Sequence, residues 1–230
     1  DACFVRQEMK SLRKTASFEI RLGASEGLAQ NILPVAMASF SQIYPEVPFT
    51  LQTVSPPKIA KKIKEGSIDI GLNYTIEKTL GVSIKKTWRA PVYVFMAKNH
   101  PLSEHTTLDL DSLLSYPLAL TEEDSTAHSL LKRSHALSGQ TRPLRIALRS
   151  NFSQALIKYV AKTQALGLSG FLSLSWRLDQ DELLLKPLTI PDFEYRMLHL
   201  QCMQGRTLPE PMQRFIEELV HVIDQELRLG

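Results

Sequence analysis

No stretch of this chain approaches the roughly 18–20 uninterrupted apolar residues that span a bilayer, and its opening residues, DACFVRQEMK, lack the apolar core of an export signal. No membrane role is expected. Cysteine is scarce, with Cys3 near one end and Cys202 inside an apolar run. A structural disulfide joining them is not expected, which fits a reducing compartment and points to the cytoplasm. An excess of one charge is also lacking: 27 basic against 24 acidic side chains leave +3, dispersed along the chain. That balance does not support nucleic-acid binding by this segment itself. The denser basic runs, Lys58 to Lys64 and Lys85 with Lys86, are interrupted by apolar residues and read as solvated faces.

The usual marks of catalysis are missing too. Six histidines, at 100, 105, 128, 135, 199 and 221, form no HExxH and have no close carboxylate pairing, so no metal site is expected. Gly167 and Gly170 lack the GxGxxG spacing and the phosphate-loop lysine, and no GxSxG elbow occurs. The expectation is a protein without catalytic residues, cofactor or metal.

What the 230 residues do contain is a core-forming apolar share of 43% and a regular alternation of strands and helices. FEIRLG (18–23) reads as a strand, 33–44 as a helix with Pro34 in its first turn, and VPFTLQTV (47–54) as the next strand. Pro57 opens a helix carrying Ile59 and Ile63, Gly66 closes it, and SIDIGLN (67–73) is a third strand. This is a βαβαβ unit with a parallel sheet. After residues 82–88 a second set begins: PVYVFMA (91–97), a short helix at 108–114, PLAL (117–120), a helix at 129–137, LRIALRS (144–150), a helix at 153–163, and a strand LGLSGFLSL (166–174). LLLKPLTI (183–190), interrupted by Pro187, suits an edge or crossing strand. YRMLHLQCM (195–203) is a last strand, and an amphipathic helix from Pro209 to Leu227 buries Met212, Phe215, Ile216, Leu219, Ile223 and Leu227. Two α/β sets predict two lobes. A return of the last strand and helix to the first lobe would make the chain cross twice, giving a hinge.

Parallel sheets bind ligands outside the carboxyl ends of their strands. Those ends carry Ser25 and Glu26, Thr53 and Ser55, Asn73, Thr121 with Ser125 and Thr126, and Ser150 with Asn151. Short polar groups converging from two lobes, with helix N-termini nearby, suit a small ligand, although each Ser, Thr or Asn also serves as an ordinary helix cap.

The ordered motifs IRLGASEG (20–27), ILPVAMASFSQIYPEVPFTL (32–51), IKEGSIDIGL (63–72), VFMAKNHPL (94–102) and ALGLSGFLSL (165–174) resemble the effector-binding region of LysR-type transcriptional regulators, over about residues 18–220. The resemblance implies a type II periplasmic-binding-protein-like α/β fold: two Rossmann-like lobes joined by two crossover strands. Residues 1–17 would end a linker helix, 18–90 form lobe I, 91–191 lobe II, and 192–230 the return segment and C-terminal helix. The resemblance further implies a ligand-sensing domain that binds a small effector between its lobes. It contacts DNA only through an N-terminal winged helix-turn-helix domain that this chain lacks. It also implies a homo-oligomer, dimer or tetramer, in which the helix at 33–44 meets the helix at 153–163 of its mate, with Met37, Phe40, Ile157 and Tyr159 as candidate interface residues. The chain departs from the family at FLSLSWRL (171–178), where Trp176 and Arg177 replace the usual ending. Glu26, Glu122, Glu123 and Asp124 leave the effector's charge open: inward-pointing carboxylates favour an amine or amino acid, outward-pointing ones an organic acid. The alternatives are a transport solute-binding protein and, less well supported, a transferase or lyase on the same architecture.

Overall fold

A computed structural model describes residues 18–77, 79–122, 125–178 and 183–229. The expected linker helix at 1–17 lies outside them, as do Cys3, Glu123 and Asp124. In chain order the strands are β1 (Ile20–Ala24), β2 (Phe49–Thr53), β3 (Ile70–Thr75), β4 (Val82–Arg89), β5 (Val92–Ala97), β6 (Leu118–Leu120), β7 (Ile146–Arg149), β8 (Leu166–Gly170), β9 (Leu183–Pro187) and β10 (Met197–Met203). The helices are α1 (Glu26–Gln30), α2 (Ile32–Ile43), α3 (Pro56–Lys64), α4 (Leu110–Leu114), α5 (Thr126–Leu137), α6 (Ser153–Ala161), α7 (Ser175–Leu178), α8 (Pro191–Glu194) and α9 (Glu210–Leu229).

The strands form two five-stranded sheets, in the orders β2-β1-β3-β10-β4 and β7-β6-β8-β5-β9. In each sheet three parallel strands are followed by one antiparallel strand, β10 in the first and β5 in the second. The two sheets therefore share one topology. Each antiparallel strand is also the first one laid down after the chain arrives from the other lobe. The chain leaves the first sheet between Arg89 and Val92 and returns between Pro187 and Met197. The two crossings lie side by side, joined by a hydrogen bond from the Ala90 N–H to the Arg196 carbonyl at 2.9 Å. Two adjacent crossings are the arrangement that the expected hinge requires.

The elements follow from local chemistry. β3 is buried almost throughout because helices and neighbouring strands cover it, as in parallel sheets generally. α3 begins with Pro56 and Pro57, which suit the first turn, and Gly66 adopts φ +70 just beyond its end. In the first lobe, Phe40 on α2 stacks on Tyr44 at 4.6 Å and meets Phe215 of α9 edge-on at 5.5 Å. The second lobe packs Leu118, Leu130, Leu131, Leu166 and Phe193 in a separate core.

Three segments depart from the sequence-based expectation. Residues 82–88 are not merely a connection, since β4 pairs antiparallel with β10 at the sheet edge. The strand expected over 166–174 stops at Gly170, and Phe171–Ser173 form a 3-10 turn. A short helix, α1, follows Ser25 where only a loop was expected.

Candidate functional site

Between the lobes lies a cleft of about 460 Å³, within the size range of small-molecule sites. Serines stand before three of the helices that face it: Ser25 before α1, Ser55 before α3 and Ser125 before α5. Their hydroxyls are in different situations. Ser125 Oγ is engaged, accepting from the His128 N–H at 3.2 Å and from Thr121 Oγ1 at 2.5 Å. Ser25 and Ser55 make no side-chain cap, and Ser55 Oγ is buried without a hydrogen-bond partner. The reason at Ser55 is local: the next two residues are prolines and offer no N–H, and the Lys58 N–H that follows donates to the Ser55 carbonyl at 2.9 Å. A buried hydroxyl left unsatisfied costs on the order of 1–3 kcal/mol, so a ligand that bonds to it recovers stabilisation.

Several polar contacts bridge the cleft. Glu26 Oε2 accepts from the Ser153 N–H at the start of α6, at 2.5 Å, while its Oε1 accepts from Gln30 Nε2 at 2.6 Å. A carboxylate at a helix N-terminus is favoured by the helix dipole as well as by the hydrogen bond. Asn31 Nδ2 donates to the Ser173 carbonyl at 2.7 Å, and the Tyr74 and Ser173 hydroxyls lie 3.2 Å apart. Glu26→Ala removes the charged contact of this set. It is expected to weaken closure by about 1 kcal/mol, since Glu26 is only half-buried. Small-angle scattering of the ligand-free variant is then expected to give a larger radius of gyration than wild type, with Glu26→Gln in between. Identical curves for all three would rule out a latch.

Arg196, at the second crossing, forms part of the cleft wall and is 2% exposed. Its Nε donates to the Ala90 carbonyl at 2.8 Å and its Nη2 to the Pro91 carbonyl at 3.2 Å. Its guanidinium sits 4.0 Å over the Tyr74 ring. Burial pushes it down to about 10 despite the nearby Tyr74, so it remains charged at neutral pH. Burial likewise raises the Tyr74 phenol above its ordinary value, against the opposing influence of Arg196 and Ser173. Sequence reasoning missed Arg196 because it stands at the start of an apolar strand, where an arginine reads as a solvated end. Tyr74 was read beside Asn73 at the end of the third strand, whereas Ser169 and Ser173 were missed; only their place at or just beyond a strand end gave a signal.

Of the sequence-derived candidates, Ser25, Glu26, Thr53, Ser55, Thr121, Ser125, Thr126 and Asn151 come together around the cleft. Asn73 and Ser150 do not line it. Asn73 is buried and donates to the Pro56 carbonyl at 3.3 Å, and Ser150 Oγ accepts from the Phe152 N–H at 3.0 Å. Glu122 lines the cleft at an exposed position. The proposed interface residues divide. Phe40 and Ile157 are 2% exposed and belong to the cores of their own lobes, so they offer no surface to a mate. Met37 and Tyr159 are half-buried against those cores. Apolar side chains that do face outward include Val35, Ala38 and Ile43 on α2, and Phe152 and Ala155 at the start of α6. Among the described residues, no group of three or more His, Cys, Asp or Glu is placed to hold a metal ion, and no helix is long and apolar enough to cross a membrane.

A family model described as the LysR substrate binding domain matches residues 13–224. The HTH-type transcriptional regulator SsuR of Burkholderia cenocepacia is 23% identical over 140 residues, covering 60% of this chain and 46% of that protein. The regulatory domain of CcmR from Synechocystis PCC6803, solved in complex with 2-PG, superposes with a TM-score of 0.71 at 17% identity, covering 89% of this chain and 96% of that one. The cofactor-binding domain of the Cbl transcriptional regulator gives 0.70 at 22% identity, covering 92% and 94%. The chain spans 37%, 46% and 53% of the length of three curated relatives it matches.

Proposed function

The chain belongs to the LysR substrate binding domain family, and from that premise we propose that it is the ligand-sensing region of a LysR-type transcriptional regulator, working in the cytoplasm. The observation that carries this reading is the cleft itself, which two lobes enclose across a double crossing and line with the uncapped hydroxyls of Ser25 and Ser55. Effector binding between the lobes favours one closure angle, and the change passes to a winged helix-turn-helix domain N-terminal to this segment. Nothing is turned over; the output is a shift of population. Relatives are named as transcriptional regulators, which supports a sensor over a catalyst, and none of them favours the transport solute-binding alternative.

The test is thermal melting of the purified chain against small organic acids, inorganic anions, amino acids and polyamines, repeated with Ser25→Ala. The reading expects a saturable rise for at least one compound, lost in the variant. A flat response across all classes counts against small-molecule sensing.

Pairing of two subunits through α2 and α6 uses the outward face, Val35, Ala38 and Ile43 against Phe152 and Ala155. Val35 is 56% exposed, so Val35→Lys is expected to fold normally. It should shift sedimentation equilibrium toward monomer at concentrations where wild type is dimeric. A variant that remains as dimeric as wild type would remove α2 from the interface.

A further inference from the structure

We propose that Arg196 receives an acidic group of the effector at the hinge end of the cleft, so that the natural ligand is a small oxyanion-bearing molecule. The inference rests on the cleft being the effector site and adds the ligand's charge and the residue that reads it.

A cation this deep is normally matched by a carboxylate. Arg196 is 2% exposed, and no Asp or Glu among the described residues pairs with it. Its protein partners are the neutral carbonyls of Ala90 and Pro91 and the face of Tyr74. A guanidinium has five N–H donors, and these contacts occupy Nε and Nη2. Nη1 has no hydrogen-bond partner among the described residues, while the side chain forms part of the cleft wall. Gly170 makes the position possible: a Cβ there would fall 2.5 Å from Arg196 Nη2 and 2.6 Å from the Tyr74 oxygen. The Tyr74–Ser173 hydroxyl pair stands beside it, and either hydroxyl can turn its hydrogen toward an incoming oxygen.

The rest of the lining agrees in sign. Lys58 and Lys62 of α3 also line the cleft, with Lys62 Nζ donating to Gln52 Oε1 at 3.1 Å. Of the two lining acids, Glu26 has both oxygens occupied by Gln30 and Ser153, and Glu122 is exposed. An amine here would set like charges together in a desolvated site. A carboxylate, sulfate or phosphate supplies the missing counter-charge in the paired geometry a guanidinium favours. The expectation that inward carboxylates select an amine therefore gives way to the acid.

The test compares melting of the wild-type chain in malonate, inorganic sulfate and inorganic phosphate with sodium chloride at matched ionic strength, and with putrescine. The three anions separate the carboxylate, sulfate and phosphate sources of the shared chemistry. At least one is expected to give a saturable rise above chloride while putrescine does not. Arg196→Gln, checked for folding by circular dichroism, is expected to weaken the apparent affinity at least tenfold, and Arg196→Lys less. Should Arg196→Gln fail to fold, Gly170→Ala displaces the guanidinium without removing its charge and is expected to weaken the same response. A wild-type anion response in the folded variant, or no anion surpassing chloride, overturns the proposal. A putrescine response abolished by Ser25→Ala, with flat anions, would reject the acidic ligand and leave the effector cleft standing.

Discussion

Phe40→Ala is expected to lower the unfolding free energy of the first lobe by about 3–5 kcal/mol, the usual cost of truncating a buried phenylalanine. Phe40 is 2% exposed and joins α2 to the rest of its lobe through three rings: Tyr44 stacked at 4.6 Å, Phe49 edge-on at 5.7 Å and Phe215 edge-on at 5.5 Å. Phe215 comes from α9, so the cluster ties α9 to α2. Removing the central ring leaves a cavity that helices anchored at both ends cannot close. Urea denaturation followed by circular dichroism measures the effect, and the difference in stability between variant and wild type should not change with protein concentration. Had Phe40 been an interface residue, the truncation would cost under 1 kcal/mol within the protomer and change the oligomeric state instead. That pattern would contradict the packing described here.

Asp69→Asn is expected to cost about 2 kcal/mol at neutral pH and to flatten the acid limb of the stability profile. Asp69 is 5% exposed and stands just before β3. It accepts from the Arg21 N–H and Nε at 3.0 Å each, from Arg21 Nη2 at 2.9 Å and from Arg206 Nη1 at 3.2 Å. Burial alone would raise its pKa. The hydrogen bonds from Arg21 and the charges of Arg21 and Arg206 outweigh that effect and hold it below the ordinary carboxylate range. The folded state thus binds this proton more weakly than the unfolded chain does. The stabilisation is fully present above the unfolded value of about 3.9 and is lost as pH falls through the lower folded value. Both arginines keep access to water, at 34% and 42% side-chain exposure, so the loss is less than for a fully enclosed ion pair. Urea midpoints between pH 2 and 7 should show wild type losing stability more steeply than Asp69→Asn below about pH 4. Parallel curves would mean that the carboxylate's charge does not matter.

Most of the architecture was legible in the sequence because internal strands and amphipathic helices leave a period. β1, β3 and β5 are apolar runs bounded by polar residues, and α9 carries Met212, Phe215, Leu219 and Ile223 at helical spacing, all buried. β4 escaped notice because an edge strand needs little apolar content: Ser83 is only partly covered, Ile84, Lys85, Lys86 and Thr87 are exposed, and Trp88 alone anchors its far end. The end of β8 was misplaced because FLSL continues the apolar character while the chain turns at Gly170 to clear Arg196 and Tyr74. That turn is set by a contact with a residue 26 positions away in sequence order, and no local pattern reports it.

The cleft serines were readable by the same logic that places ligands at strand ends. Which of them keeps a free hydroxyl was not, because capping depends on details such as the two prolines after Ser55. Asn73 illustrates the limit. It sits within β3, but its side chain turns toward the Pro56 carbonyl and leaves its Oδ1 buried without a partner. Arg196 was invisible for the opposite reason: its importance comes from the absence of an acid around it, which only three dimensions reveal.

The most direct test of the account is amide NMR shift mapping on the isotope-labelled chain, titrated with the compound that gives the largest saturable rise in the melting screen. The account predicts perturbations on both walls of the cleft and at the hinge: Ser25 and Ser55 from one lobe, Thr126 and Asn151 from the other, and Arg196 at the crossing. Perturbations confined to one lobe, or falling on surfaces away from the cleft, would contradict binding between the lobes and with it the proposed route from ligand to closure.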